Sequence, residues 1–501
     1  MKLKFSIDYH TSWGQSLHVL LHYLDAKGDY KVKNFLMQTN DGKKWSVETV
    51  IRERLYAPIN LTYHYQVEDE EGYIVRKEWN HIHRSYLLDD SKDYIFSDQW
   101  RDVPMACHLY SEAYSVTKGG FIGPLTPPQL SLFRKTLLLR VSAPQLTEHE
   151  SLGVCGSHPT LGNWNPTLFL PMISMGASEW IIAINLDGIF QSFEYKFVVI
   201  DNHTHQIKKW EEGENRFLSL IKVQDGEVLT IYTDPLHLND STWYVAGITT
   251  TKVHKPLIDI CAEKGFHIIN WSPIHPIRIS KRNVQQWEEL AIYARKKRIG
   301  IIGNLKILLN ESLQNPCRWR HRARFIAKYF SAVSIDFSIP HHDNRHDDYW
   351  AYLAAQIIRL FQEETNLLIY AGQESVSLDC LKPVFHQLRI PTLVLESMSQ
   401  NPRCEFTDIS QNPYHSIDSF KTSSMFMIEK WWTEDPKRTQ RYYAAILQHN
   451  GKAPQKITSR IVEEIVARHF CCPSMICLIP EEYLQLISIE QLELMLKRSK
   501  R

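Results

Sequence analysis

One carboxylate closes a short β-branched run, Tyr329-Phe330-Ser331-Ala332-Val333-Ser334-Ile335-Asp336-Phe337, with helix-like patterns on both sides. Such a run reads as a buried strand with an acid at its carboxyl end. In a barrel of alternating strands and helices the loops leaving that end line the mouth, so reactive groups collect there. Asp336 is therefore the first candidate for catalysis. The other chemically suggestive residues are aromatic: the chain holds 14 Trp and 23 Tyr, which offer flat apolar faces with polar edges for a ligand. Trp164 stands out among them, because the Gly/Asn/Pro-rich loop around it is an unusual place for a core indole.

Other constellations carry less. His341-His342-Asp343 and His346-Asp347 suggest a metal site, but they follow Pro340 in a polar loop without the spacing of a recurring motif. Nine cysteines are scattered with no Cys-x-x-Cys pair, so neither a disulfide framework nor a zinc site is indicated. The basic cluster Arg318 to Arg324 interleaves with apolar positions at helical spacing and reads as an exposed helix face. No Gly-rich phosphate loop and no Ser/His/Asp set is present. The sequence thus calls for no cofactor and no metal.

The elements that must position these residues follow from length and pattern. With 501 residues, 44% hydrophobic and 23% charged, the chain can bury several cores and form two to four domains. A net charge of +1 offers no electrostatic footprint for nucleic acid or an acidic membrane. The first residues lack a signal-peptide apolar core, and no apolar run approaches the ~20 residues of a membrane helix. A soluble, cytoplasmic protein with a neutral ligand is expected.

Residues 1–115 show period-2 runs such as Leu17-His18-Val19-Leu20-Leu21 and Tyr63-His64-Tyr65-Gln66-Val67, broken by turn signals, which argue a β-sandwich. The pattern recurs over 133–236: Trp45 is echoed by Trp180, Tyr63-His64-Tyr65 by Tyr195-Lys196-Phe197, and Lys77-Glu78-Trp79-Asn80 by Lys209-Trp210-Glu211. This is an internal duplication at a domain-sized interval, with Gly123-Pro124-Leu125-Thr126-Pro127-Pro128 as its linker. Trp180, which opens an alternating run, reads as core. Residues 240–501 then alternate strands and helices, with up to eight strand candidates, the last two around Thr422 and over Met475 to Pro480. That count suits a (β/α)8 barrel.

Two resemblances give these elements a direction. Gly156-Ser157-His158-Pro159-Thr160-Leu161-Gly162-Asn163-Trp164, with Trp180, Glu194-Tyr195-Lys196-Phe197 and Trp210-Glu211-Glu212-Gly213-Glu214-Asn215-Arg216, resembles the family 20 starch-binding module over about a hundred residues. The resemblance implies a paired indole platform, Trp164 and Trp210, that buries the C–H faces of glucose rings while Lys196, Glu211 and Asn215 reach the hydroxyl rim. The first copy lacks Leu-Gly-Asn-Trp and has His64 at the Lys position, keeping Trp79 alone, so a structural or docking role is expected of it. The Asp336 strand with Arg318-Trp319-Arg320-His321-Arg322, Glu405-Phe406, Asn412-Pro413-Tyr414, Trp431-Trp432-Thr433-Glu434-Asp435-Pro436 and Pro473-Ser474-Met475 resembles the 4-α-glucanotransferases, the amylomaltase or disproportionating-enzyme family 77 of glycoside hydrolases. Its plant branch also carries two starch-binding modules in front.

The resemblance implies that Asp336 stands at the nucleophile, and the departures from the family pattern follow. Ser334 replaces an Arg and Phe337 a His. Gly372 stands at the acid/base Glu, with Glu374 two residues out of register. Lys421-Thr422-Ser423-Ser424 replaces Ser-Thr-His-Asp, and Asn304 replaces a strand-three Asp. A retaining transferase needs two opposed carboxyl groups, so the expectation is a protein that binds starch, glycogen or maltodextrin with little or no transferase activity, or that scaffolds a related active enzyme. The alternative is a working 4-α-glucanotransferase that uses Asp336 with a displaced acid.

Overall fold

A computed structural model describes residues 1–501 apart from 53–54, 80–82, 119–124, 190, 220–221, 239–242, 273–283, 310–315, 341–345, 397–405, 421–427 and 488–501. The chain divides into two units: Met1–Pro104 with Gly119–Ser241, and Met105–Lys118 with Thr242–Arg501.

The first unit holds both β modules. Apolar alternation in Lys2–Asp8 and Ser16–Leu24 buries every second side chain, as in a sheet with one face on a core. The two modules repeat one topology: Lys2–Asp8 pairs antiparallel with Lys44–Val50 and parallel with Asp93–Gln99, and Thr136–Ser142 does the same with Glu179–Asn185 and Glu227–Tyr232. The last strands of the copies, Asp93–Gln99 and Glu227–Tyr232, also pair parallel with each other. One eight-stranded sheet therefore runs through both modules. Each module faces that sheet with its own second sheet, Glu150–Gly156 and Phe193–Asp201 being central in one, Ser16–Leu24 and Ile59–Glu68 in the other.

The junction is polar yet closed. Arg140 and Glu179 are both fully buried, 2.6 Å apart, and the Arg140 guanidinium also donates to the carbonyls of Ser85 (3.3 Å) and His83 (3.0 Å) of the first module. Tyr232 donates to Glu179 at 2.7 Å, and the Arg101 guanidinium lies 3.2 Å from the Tyr232 ring centroid. Arg140, Glu179 and Tyr232 thus satisfy one another, which burial requires.

The second unit is a closed barrel of Val245–Thr250, Ile268–Trp271, Gly300–Leu308, Ala332–Ser338, Leu368–Ala371, Thr392–Leu395, Ser416–Ser419 and Ile476–Pro480, each parallel to its neighbours. Period-2 alternation sorts the core into two layers: Val245, Ile268 and Ile302 fill the inside, while Ala246, Ile269 and Ile301 meet the helices. The seventh strand is a correction. It is Ser416–Ser419 rather than the region around Thr422, which lies outside the described residues. Its polar letters hide it, for only Ile417 belongs to the inner core while Asp418 points to buried partners behind the sheet.

A further correction concerns residues 105–115, read from the sequence as the tail of the first module. They belong to the barrel unit. Leu109, Ala113 and Tyr114 join its inner core beside Trp243, Val245 and Met475, and Trp243 Nε1 donates to Thr117 Oγ1 at 3.0 Å. Trp243 precedes the first strand, so the short helix Glu112–Lys118 closes the amino-terminal end of the barrel. Among the described residues no helix is long and apolar enough to cross a membrane.

Candidate functional site

The indole pair is held by local backbone chemistry. In the turn Pro159–Trp164 three successive residues take positive φ: Gly162 (82°), Asn163 (48°) and Trp164 (61°). Only glycine serves at the first, since a Cβ there would lie 2.5 Å from the Leu168 carbonyl oxygen. The turn carries Trp164 over the sheet to Trp210, at the end of Ile207–Trp210 and opposite Val198. Their ring centroids are 6.4 Å apart with planes tilted by 44°. Beneath them Cys155, Val198 and Ile200 are buried, and both indoles stay partly open to solvent.

Lys196 lies on the strand between them, and its Nζ donates to the carbonyls of Glu211 (3.2 Å) and Gly213 (2.7 Å), tying down the loop after Trp210. Asn215 is exposed and donates to Glu194 Oε2 at 2.9 Å. Glu194, quoted in the motif but given no binding role from the sequence, shares a face with Lys196 through their period-2 spacing. Glu211 is a correction. It is 3% exposed, accepts from Arg216 Nε (2.9 Å) and Nη2 (2.6 Å), and takes the backbone N–H groups of Phe197 (3.3 Å) and His237 (3.1 Å). Its oxygens are spent on the fold, so it reaches no ligand rim.

The first module repeats this anchor and loses the platform. Glu78 donates its N–H to Tyr65 O (3.2 Å) as Glu211 does to Phe197 O (3.0 Å). It pairs with buried Arg84, which stands opposite Tyr63 as Arg216 stands opposite Tyr195. Glu78 is thus the counterpart of Glu211, and Lys77, not Trp79, occupies the place of Trp210. The sequence comparison misplaced Trp79 by aligning the tryptophans rather than the ion-paired glutamates.

At the barrel mouth Asp336 is half-buried on the fourth strand. Its Oδ1 accepts the N–H groups of Glu374 (2.9 Å) and Ser375 (3.4 Å), at the start of the short helix Gln373–Val376. Gly372 is the residue before that helix and has no side chain to cap it, so Asp336 supplies the capping oxygen from the neighbouring strand. A Cβ on Gly372 would lie 2.4–2.6 Å from the Asp336 carboxylate atoms. Burial raises the Asp336 pKa and the nearby Glu374 carboxylate adds to it, against the two N–H donors and the Lys306 ammonium. Glu374 points instead to Lys306, 2.5 Å away.

Several other described residues at the mouth are neutral, while Thr250 at the end of the first strand donates to Glu481, just after the eighth, at 2.5 Å. Asn304 Nδ2 donates to Asn270 Oδ1 (3.2 Å) and the Trp271 carbonyl (2.6 Å), and Asn270 Nδ2 donates to Thr249 Oγ1 (3.3 Å). Ser334 is buried and bonded to Tyr370. His341-His342-Asp343, Glu405 and Lys421-Thr422-Ser423-Ser424 lie outside the described residues. A charged group that sequence reasoning missed lies behind the sixth and seventh strands: Asp418, 2.5 Å from His469 Nδ1, and Glu396, bonded to Tyr442 (2.8 Å) and Arg468 (3.0 Å). His469 is raised to about 10 by these carboxylates despite its burial. Glu396, Asp418 and His469 are at most 1% exposed, so none meets a ligand.

Comparison with known proteins agrees with this layout. Residues 136–228 match the starch binding domain, and residues 314–493 match the 4-alpha-glucanotransferase family. A 4-alpha-glucanotransferase DPE2 of Oryza sativa subsp. japonica is 24% identical over 136 residues, 27% of this chain and 14% of that protein. This chain therefore spans a small part of that relative. Among solved structures, the family 20 module of a maltotetraose-forming amylase from Pseudomonas Saccharophila STB07 shares 20% identity over 19% of this chain and 98% of its own, with a TM-score of 0.16. An amylomaltase from Streptococcus agalactiae shares 13% over 40% of this chain and 51% of its own, with a TM-score of 0.30. The two family matches make this chain similar to a starch binding domain over its second β module and to the 4-alpha-glucanotransferases over much of its barrel.

Proposed function

We propose that this chain binds α-1,4-glucans, as starch, glycogen or maltodextrin, through Trp164, Trp210, Lys196 and Asn215, and that its barrel has lost glucanosyl transfer. The observation that carries the second part is the Asp336 carboxylate, which is committed to capping Gln373–Val376 and fills the space a side chain on Gly372 would need. Transfer needs a second carboxyl poised across the bond from the nucleophile, and Glu374 lends Asp336 its backbone while its own carboxylate meets Lys306. Asn270, Asn304, Ser334 and Tyr370 are neutral, and the described cation nearest Asp336, Lys306, is engaged by Glu374 rather than held for a reacting sugar. Two indoles tilted by 44° suit neighbouring rings of a curved glucan. The setting in this reading is cytoplasmic, and a related active enzyme is the partner such a protein would bring to its glucan.

Two measurements test it. In amylose-containing gels the wild type is retarded and Trp164→Ala is not, while their melting temperatures agree; equal mobility with and without amylose would remove the sugar role. Incubation with maltotriose releases no glucose and no longer oligomers. Disproportionation abolished by Asp336→Asn would establish the rival reading, an active transferase.

A further inference from the structure

The platform face of the second module runs on past its two indoles. On Phe193–Asp201, Glu194, Lys196 and Val198 leave the strand on one side, because side chains two apart point the same way. Trp210 stands opposite Val198, and Phe217 of the short strand Arg216–Leu218 stands opposite Glu194. Tyr195 and Val198 also carry partners from Glu150–Gly156 on their other side, so Trp210 and Phe217 share one edge as well as one face. The strand from Glu194 to Val198 sets them ~13 Å apart, at about 3.3 Å per residue. That is roughly twice the 6.4 Å between the ring centroids of Trp164 and Trp210.

The residues on both sides of Phe217 are anchored. Arg216 donates to Glu211 (2.9 and 2.6 Å) and to the carbonyls of Asp234 (2.9 Å) and Pro235 (2.8 Å), and Leu218 is buried in the core of the module. Between them the Phe217 side chain is 65% exposed. A single exposed ring is ordinary on a protein surface; what distinguishes this one is the line it completes. From Trp210 toward Phe217 the face offers an indole, then Lys196, then the Glu194–Asn215 pair with its hydrogen bond of 2.9 Å. Apolar faces at both ends with hydroxyl-binding groups between them match a run of pyranose rings, each having C–H faces and a polar rim. A ring on an anchored strand also loses little freedom when a sugar covers it.

We infer that Phe217 is a third stacking residue of the glucan site, meeting a glucose two units beyond the one on Trp210, and that it makes this module select glucan segments of four or more rings over shorter ones. The inference rests on the reading of Trp164 and Trp210 as a glucan platform and adds the length of its ligand. Two rings cover the indoles and a third lies over Lys196, so maltotriose ends before Phe217 and longer oligomers reach it.

Calorimetric titration of the full chain with maltotriose and with maltoheptaose tests it. Phe217→Ala is expected to bind maltoheptaose about tenfold more weakly than wild type, the loss typical of an aromatic anchor, while the two proteins bind maltotriose alike. Phe217→Tyr, which keeps a ring, is expected to retain the wild-type preference, and the melting temperatures of all three should agree because the position is exposed. Trp164→Ala is expected to lose both sugars. If Phe217→Ala binds maltoheptaose as wild type does while Trp164→Ala binds neither sugar, the third contact is overturned and the platform stands. Equal weakening of both sugars in Phe217→Ala would also overturn it, since such a loss carries no length dependence. Failure of wild type to bind either sugar would overturn the platform itself, and the inference with it.

Discussion

At the scale of single residues, function and architecture divide between neighbours that look alike in the sequence. Trp210 and Glu211 are adjacent, yet one indole lies open beside Trp164 while the carboxylate is buried against Arg216. Strand alternation separates them: consecutive side chains leave opposite faces. Asp336 makes the same point, because its residue type and strand-end place suit a nucleophile while its oxygen caps a helix. Asp336→Ala is accordingly expected to cost about 0.5–2 kcal/mol of barrel stability, the range for loss of an N-cap. Urea denaturation of the two proteins measures it, and unchanged stability would deny the capping role.

At the scale of elements, the segment Met105–Lys118 shows how an inserted piece can complete a distant core. Leu109 is 3% exposed inside the barrel's inner cluster, so Leu109→Ala is expected to cost about 2–5 kcal/mol, as other buried leucine truncations do. Hydrogen exchange in Val245–Thr250 reads this out, with faster exchange there and none added in the β modules. The short helix was legible in neither period nor length. Its seven residues, Glu112–Lys118, are too few to display an amphipathic stripe against flanking loops. The strands, by contrast, were legible, because alternation in Ser16–Leu24 and the apolar run of Ala332–Ser338 each reflect what the two faces of a strand must meet.

At the scale of the whole molecule, buried charge sets a pH window. His469 is held up near 10 by Asp418 and Glu396, above the ordinary value of about 6.5 for an unfolded histidine. Its stabilising contribution is therefore complete below about 6.5 and is lost as pH rises through 10. The barrel's melting temperature should fall between pH 7 and 10.5 in wild type. In His469→Leu that slope should flatten, on a protein already weakened by about 3–5 kcal/mol because a buried carboxylate has lost its partner. Connectivity adds a further consequence: the chain passes between its two units at 104/105, 118/119 and 241/242, so a fragment beginning at residue 242 lacks the piece that closes its barrel.

The sequence by itself determined most of the strands and what the second module resembles, since period, turn residues and the Leu161-Gly162-Asn163-Trp164 stretch are local properties that neighbouring letters display. Tertiary structure alone decided which polar groups are available for chemistry. Whether Glu211, Asp336, Glu396 or His64 faces solvent or a buried partner depends on strands and helices distant in the chain, Arg84 and Arg216 across a ladder, Ser375 after the next strand, His469 on the last long helix. Pairing of charges at such range leaves no period to read, because burial energetics acts on neighbours in space.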